Sequence, residues 1–191
     1  MVRKAIFAAL IGAVAAYAAP SNAGVVTTTI FTGDSGTGGG APFSGPVGTI
    51  VTPDISFATS TGFNWHPFGL GSFGADSVGT LSVAVSGTYT FTLNSDDGSR
   101  ALIGGALIVD DGGAHGPTVA TGSVFLTAGL HPFEVQFFEC CGGASGVDFS
   151  VPQGVTIAGI PELATWGMMI IGFGGVALQM HRRRRAVTLN A

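Results

Sequence analysis

The chain of 191 residues is rich in glycine (32) and poor in charge, with Asp, Glu, Lys and Arg making up 9% of it. Glycine is a poor helix former, so the composition argues against a helical domain and for short strands joined by glycine turns. Between residues 24 and 160 Arg100 is the only Lys or Arg, against ten of the eleven acidic residues, a formal charge of −9. Such a surface repels phosphate backbones and argues against nucleic acid as a partner, while it suits cations or neutral ligands.

In chain order, residues 1–23 open with Arg3 and Lys4, continue as an apolar run from Ala5 to Ala19, and end in the small-residue stretch Ser21-Asn22-Ala23. That layout predicts a secretory signal peptide. Residues 24–48 are rich in Gly, Ser and Thr. "GDSGTGGGAPFSGP" lacks the side chains to pack a core and reads as a flexible segment, with "VVTTTIF" before it a candidate strand.

From residue 49 to about 155 strand signals follow one another. "TIVTPDISF" has strand residues interrupted by proline, and "TGFNWHPFGLGSFG" groups Phe63, Trp65, His66, Phe68 and Phe73 between glycines. In "VGTLSVAVSGTYTFTLN", Leu81 and Val83 alternate with polar neighbours, as do Tyr89, Phe91 and Leu93 after a Ser-Gly turn. A period of two means half-buried antiparallel strands. "ALIGGALIVDDGG" reads as a hairpin whose Gly104-Gly105 supply the positive φ angles of a two-residue turn. "GSVFLTAGLHPFEVQFFE" gives two more strands, with Phe133, Val135 and Phe137 on one face, and "GVDFSV" a last short one. The sum predicts an all-β domain, an antiparallel, jelly-roll-like β-sandwich.

Residues 156–191 close the chain. Leu163 to Met180 is an uncharged run, long enough at about 27 Å of helix to cross a bilayer. Trp166 sits at its outer end, and Arg182, Arg183, Arg184 and Arg185 form the basic block that belongs on the cytoplasmic side. The sequence therefore predicts a transmembrane helix that holds the exported domain to a membrane.

Asp96 and Asp97 interrupt a regular strand pattern at "LNSDDGSR". Two readings of them stand side by side. Aspartate is favoured in turns, where its carboxylate accepts nearby backbone N–H groups, and Arg100 would then pair with one of them. Alternatively the two carboxylates share a cation. In an extended chain neighbouring side chains point apart, so chelation needs a tight loop or a cis peptide. Calcium, with six to eight oxygen ligands in flexible geometry, suits such a site. Asp110-Asp111-Gly112-Gly113 is a second turn candidate; His115 beside it is conceivable for a metal but reads first as an exposed loop residue.

Cys140 and Cys141 are the only cysteines. An exported chain is expected to form disulfides, and these two would make a vicinal bridge, a rigid apolar knuckle beside Glu139; free thiols and intermolecular bridges are equally open. Phe63, Trp65 and Phe68 read as core residues ahead of sugar-stacking ones. No nucleophile elbow, zinc-protease motif or phosphate loop occurs. Glycoside hydrolysis needs two acids at a fixed spacing, which a sequence does not display.

"FGADSVGTLSVAVSGTYTFTLNSDDGSRALIGGALIVDDGG", followed by "GSVFLTAGLHPFEVQFFE", resembles the protective-antigen-type β-sandwich domain, a family that includes bacterial carbohydrate-binding modules and, more distantly, flocculin- and GLEYA-type adhesins. The resemblance covers roughly residues 73–151. In the flocculin branch an adjacent Asp pair joined by a cis bond binds calcium, and the calcium contacts sugar hydroxyls. This implies metal binding by Asp96 and Asp97, with Glu139 near a further ligand position; separately from the resemblance, Arg100, close by in the sequence, joins Asp96 and Asp97 as a candidate ligand-binding residue. The tail resembles the PEP-CTERM sorting signals in their Trp-containing variant. Pro161, Glu162 and Trp166 match, Leu163 stands in place of the second proline, and the motif, apolar span and Arg cluster keep their order. That resemblance implies an exosortase-type processing enzyme and a Gram-negative envelope, often with exopolysaccharide or biofilm.

The expectation is therefore an exported envelope or extracellular-matrix protein that binds polysaccharide or another glycan without catalysis, through Ca2+. A structural biofilm protein acting by protein–protein contact is the alternative, and a small glycoside hydrolase the third.

Overall fold

The computed structural model describes residues 24–33 and 43–159. The signal segment, the glycine-rich stretch 34–42, and the sorting motif with its apolar span and Arg cluster lie outside the described residues.

Ten strands make two antiparallel sheets. They are β1 (Val26–Gly33), β2 (Ser44–Thr52), β3 (Phe73–Val83), β4 (Gly87–Asp96), β5 (Ser99–Ile103), β6 (Ala106–Asp111), β7 (Thr118–Leu126), β8 (Gly129–Glu139), β9 (Gly146–Ser150) and β10 (Val155–Ile157). The larger sheet runs β2-β1-β3-β8-β5-β6, with β10 also paired to β3, and the smaller runs β7-β4-β9. Among the described residues the only α-helix is the short α1 (Phe57–Thr61).

Alternation in the sequence is what drives the two sheets together. Leu81 and Val83 of β3 and Phe133, Val135 and Phe137 of β8 turn inward from the large sheet, and Phe91 and Leu93 of β4 with Val147 and Phe149 of β9 meet them from the small one. Phe149 stacks on Phe91 and on Phe133, with ring centroids 5.7 and 5.3 Å apart, so the two layers interlock through aromatic rings. Apolar burial of this kind contributes about 25 cal/mol per Å2 and is the main term holding the sheets face to face. The β5–β6 hairpin turns at Gly104 and Gly105, with φ of 59° and 81°, the positive pair its sequence predicts.

Three expectations need correction. The sandwich does not begin at residue 49. β1 lies inside the large sheet between β2 and β3, because Val26 and Ile30 are fully buried and Thr28 pairs its hydroxyl with Ser77 at 2.8 Å. The 24–48 segment is thus part of the domain at both ends of its glycine-rich middle. At the other end the domain continues past residue 155: β10 pairs with β3, and Ala158 donates its N–H to Thr80 O at 2.7 Å. The aromatic group also divides. Trp65 is core, stacked on Phe57 at 4.0 Å and edge-on to Phe73, whereas Phe68 is 57% exposed and lies over Gly48.

Asp148 shows how this fold uses an acid structurally. From β9 it accepts the backbone N–H groups of Ala58 (2.9 Å) and Thr59 (3.1 Å), satisfying donors that the first turn of α1 leaves free.

Candidate metal centre

The chain passes between the sheets at one end of the sandwich three times: at Asp97-Gly98 from β4 to β5, at residues 112–117 from β6 to β7, and at residues 140–145 from β8 to β9. The register of the large sheet fixes what meets there. Ser99 pairs with Phe137, and Phe138 donates its N–H to Gly98 O at 3.0 Å, so one step further Asp97 comes opposite Glu139. Gly98 has no room for a side chain: a Cβ would lie 2.5 Å from the Phe138 ring and 2.6 Å from Gly113 O. The hydroxyls of Ser95 and Ser99, buried and 2.7 Å apart, tie the two sides of the crossing together.

The Asp96–Asp97 peptide is cis. Asp96, Asp97 and Glu139 are 7%, 6% and 1% exposed, and a carboxylate oxygen from each lies within 4.8 Å of the others. Calcium–oxygen bonds of about 2.3–2.6 Å allow two oxygens on one ion to be up to roughly 5 Å apart, so the three fit a single calcium.

Backbone N–H groups aim two of these carboxylates. Asp97 accepts from His115 N–H through Oδ1 (2.9 Å) and from Cys140 N–H through Oδ2 (3.0 Å). Glu139 Oε1 accepts from Gly142 N–H at 2.9 Å, while its Oε2 is buried and has no hydrogen-bond partner among the described residues. Burial raises the pKa of Asp96, with the neighbouring Asp97 charge adding to the rise and His115 opposing it. Burial also raises Glu139, reinforced by Asp97 and Asp96 and opposed by the N–H groups of Gly142 and Cys141. Crowded, desolvated carboxylates of this kind call for a proton or a metal ion.

The remaining predicted residues fall in different places. Arg100 neither pairs with Asp96 or Asp97 nor joins the group: on β5 its neighbours Ser99 and Ala101 point inward, so it points outward and meets Asp110 across the hairpin, Nε to Oδ1 2.8 Å. Cys140 and Cys141 form a disulfide with one another. The Cys140 sulfur touches Asp97 Oδ2 at 3.2 Å, a contact without a proton because the sulfur is bonded to its neighbour.

His115, which the sequence offered as conceivable for a metal but read first as an exposed loop residue, lies behind the carboxylates instead. It is half-buried, its N–H reaches Asp97, and both ring nitrogens face carbonyl oxygens, Nδ1 to Gly116 O at 2.8 Å and Nε2 to Asp111 O at 3.0 Å. Two acceptors call for two ring donors, the imidazolium. Burial opposes that charge, but the two carbonyls with Asp111 and Asp97 outweigh it, and the His115 pKa is raised. The clue in the sequence was His115 four residues after Asp111 in a glycine-rich loop, a spacing that alone fixes nothing.

Residues 25–158 match the PA14 domain. The chain belongs to the PA14 domain family. No curated protein is a significant match. Among solved structures the PA14 fold here is similar to an anti-sigma factor domain-containing protein from Clostridium clariflavum (TM-score 0.55, 20% identity, covering 70% of this chain and 44% of that one). It is similar to a PA14 sugar-binding domain from an RTX adhesin (TM-score 0.52, 17% identity, 67% and 90% covered). It is also similar to a β-glucosidase from Kluyveromyces marxianus in complex with glucose (TM-score 0.52, 14% identity, 67% and 17% covered). The chain spans less than half of the anti-sigma factor protein and about a sixth of the β-glucosidase. At these identities the likeness is one of fold.

Proposed function

We propose that this PA14 domain binds carbohydrate without catalysis, through a calcium ion held by Asp96, Asp97 and Glu139. The observation that carries the reading is Glu139 Oε2, a buried carboxylate oxygen with no partner, beside two further buried acids. A bound calcium would offer that oxygen a ligand and leave coordination positions open to sugar hydroxyls. The residues of this chain supply the rest: Asp96, Asp97 and Glu139 provide negative charge, and the N–H groups of His115, Cys140 and Gly142 hold two of the carboxylates in place. The similarity to the sugar-binding PA14 domain of an RTX adhesin supports the same ligand class here.

Three acids gather here with one carboxylate oxygen of each within 4.8 Å of the others, an arrangement suited to holding one ion. The signal segment and the Pro161, Glu162, Trp166 and Arg182–Arg185 pattern add the proposed setting: export, exosortase-type processing of the tail, and a final place at a Gram-negative cell surface or in its matrix.

The test is calorimetric titration of the purified full-length chain with CaCl2, then a glycan array read with calcium and with EDTA. Calcium binding together with chelator-sensitive glycan signals is the expected outcome. Glycan binding indifferent to EDTA would remove the metal from the mechanism, and its absence in both conditions would favour a structural matrix protein.

A further inference from the structure

The calcium-and-glycan reading leaves open which sugars fit, and the loop beside the carboxylates bears on that. Residues 140–144, Cys-Cys-Gly-Gly-Ala, carry no charged or hydrogen-bonding side chain, and residues 141–144 are exposed. Gly142 and Gly143 hold φ of 71° and 112°, and a Cβ at either would meet nothing within 4 Å, so open space lies over this loop. Both disulfide sulfurs lie within 4.8 Å of an Asp97 carboxylate oxygen. The loop is braced as well as bare, because its Cys140 and Gly142 N–H groups are spent on Asp97 and Glu139.

A polar, charged centre thus adjoins a small, stiff, polarisable apolar surface. A pyranose has matching halves: hydroxyls along its edge and C–H groups on its face. Binding sites for such ligands pair a few fixed polar groups with apolar walls. Trp65, the ring best suited to stack on a sugar, is only 6% exposed and packed against Phe57 and Phe73. The domain's net charge of −9 between residues 24 and 160 disfavours anionic sugars.

We propose that the exposed Cys140–Cys141 disulfide, with Gly142 and Gly143, is the apolar wall of the sugar site, and that it selects neutral hexopyranoses by contact with the C–H face of the ring. This rests on the calcium-dependent reading above.

The experiment uses the full-length chain in saturating CaCl2, with methyl glucoside, methyl galactoside and methyl mannoside as neutral probes and methyl glucuronide as the anionic one. Nuclear Overhauser contacts are expected between ring C–H protons of a bound neutral glycoside and the β-protons of Cys140 or Cys141. The glucuronide should bind at least about tenfold more weakly. Replacing both cysteines (Cys140→Ser with Cys141→Ser) should lower glycoside affinity by about tenfold, the loss expected on removing roughly 50 Å2 of apolar contact, at a calcium concentration saturating for that variant.

A glycoside bound in calcium without any contact to the cysteine protons would overturn this proposal and leave the calcium site standing. Unchanged affinity in the double variant would do the same, as would failure of all three neutral glycosides to bind the calcium-loaded chain. A wild-type chain that takes up no calcium would overturn both readings. If the double variant fails to fold, the proton contacts in the wild type decide.

Discussion

The tripeptide Asp-Asp-Gly occurs twice, at residues 96–98 and 110–112, and the fold treats the two copies in opposite ways. At 110–111 the chain is an ordinary strand end, so the side chains part. Asp110 turns outward, where it is half-exposed, pairs with Arg100 at 2.8 Å and accepts its own loop's Gly112 N–H. Asp111 turns toward His115, with Oδ1 3.7 Å from Nε2, so a protonated His115 faces this acid, whose other oxygen is buried without a hydrogen bond among the described residues. At 96–97 both side chains are buried, a third acid joins them from β8, and among the described residues no Lys or Arg side chain approaches, Arg100 being committed to Asp110. Both copies end a strand where the chain passes between the sheets, β4 to β5 and β6 to β7. The difference teaches that an acidic pair becomes a site through what gathers on it: at 96–97 both carboxylates are buried and Glu139 joins them from β8, whereas at 110–111 one acid goes out to Arg100 and the other to His115.

The sharpest way to break this comparison is to neutralise each copy in turn. Asp96→Asn with Asp97→Asn should reduce calcium affinity by about a hundredfold or more, roughly 3 kcal/mol, because two anionic ligands of the ion are lost. Asp110→Asn with Asp111→Asn should leave it within about threefold. Equal losses in titrations of the two double variants would mean that the ion responds to the charge of the domain rather than to the gathered carboxylates.

Glu139→Gln comes next in size and has two opposed effects. It removes the buried oxygen that has no partner, so calcium affinity should fall by about tenfold. In EDTA the same change should stabilise the domain by about 1 kcal/mol, a Tm rise of roughly 3–5 °C, since a crowded buried charge is gone. Thermal melts in EDTA and in CaCl2 therefore should move in opposite directions for this one variant.

These contrasts also mark what was legible in the sequence. The strands of β3, β4 and β8 were readable because one face of each is buried and the other is not, which writes period two directly into Leu81-Val83, Phe91-Leu93 and Phe133-Val135-Phe137. β1 was readable only as the candidate strand "VVTTTIF", set outside the sandwich, because its buried positions include Thr28, whose hydroxyl is satisfied by Ser77 across the sheet, so a polar residue occupies a core position. β10 is three residues long and has no period to detect. Asp96 and Asp97 stood out as a break in a clean alternation, and the third acid, Glu139, was marked by the resemblance. The support from His115 and Gly142, and the outward pairing of Arg100, depend on which loops meet at the end of the sandwich, a matter of sheet topology rather than of neighbouring residues.

Titration sharpens the comparison further. The pKa values of Asp96 and Glu139 lie above their ordinary 3.8 and 4.5, from burial first and mutual charge second. The folded, metal-free domain then binds more protons than the unfolded chain in the window above those ordinary values. Its stability in EDTA should be greatest, as far as these groups decide, below 3.8–4.5, and should decline as pH rises through their raised values. Calcium requires the ionised forms, so the increment in Tm on adding CaCl2 should grow over the same range. Asp76, on β3, is raised to about 6 by burial and then by Glu134, and contributes a decline of the same sign between 3.8 and about 6. Asp76→Asn should flatten that part of the EDTA curve and leave the calcium increment untouched. A calcium increment that stays constant from pH 4 to pH 8 would contradict proton competition at the three-acid site.

The smallest expected effect belongs to Arg100, which the sequence had placed beside the ligand, and to Asp110, the acid it pairs with instead. Arg100 and Asp110 have side chains 30% and 48% exposed, and ion pairs so accessible contribute about 0–1 kcal/mol because water and salt screen them. Arg100→Met keeps the apolar stem and removes the charge. Its Tm should lie within about 3 °C of wild type, a difference that shrinks further in added salt. Calcium affinity, measured by the same titration, should change by less than about twofold, and glycan binding likewise. The sign of any small change is fixed in advance: removing the only Lys or Arg between residues 24 and 160 makes the domain more negative, so calcium should bind slightly more tightly at low salt. A tenfold loss of glycan affinity in Arg100→Met would show that the outer face of the hairpin reaches the ligand after all, and the two Asp-Asp-Gly segments would then belong to one extended surface rather than to two separate environments.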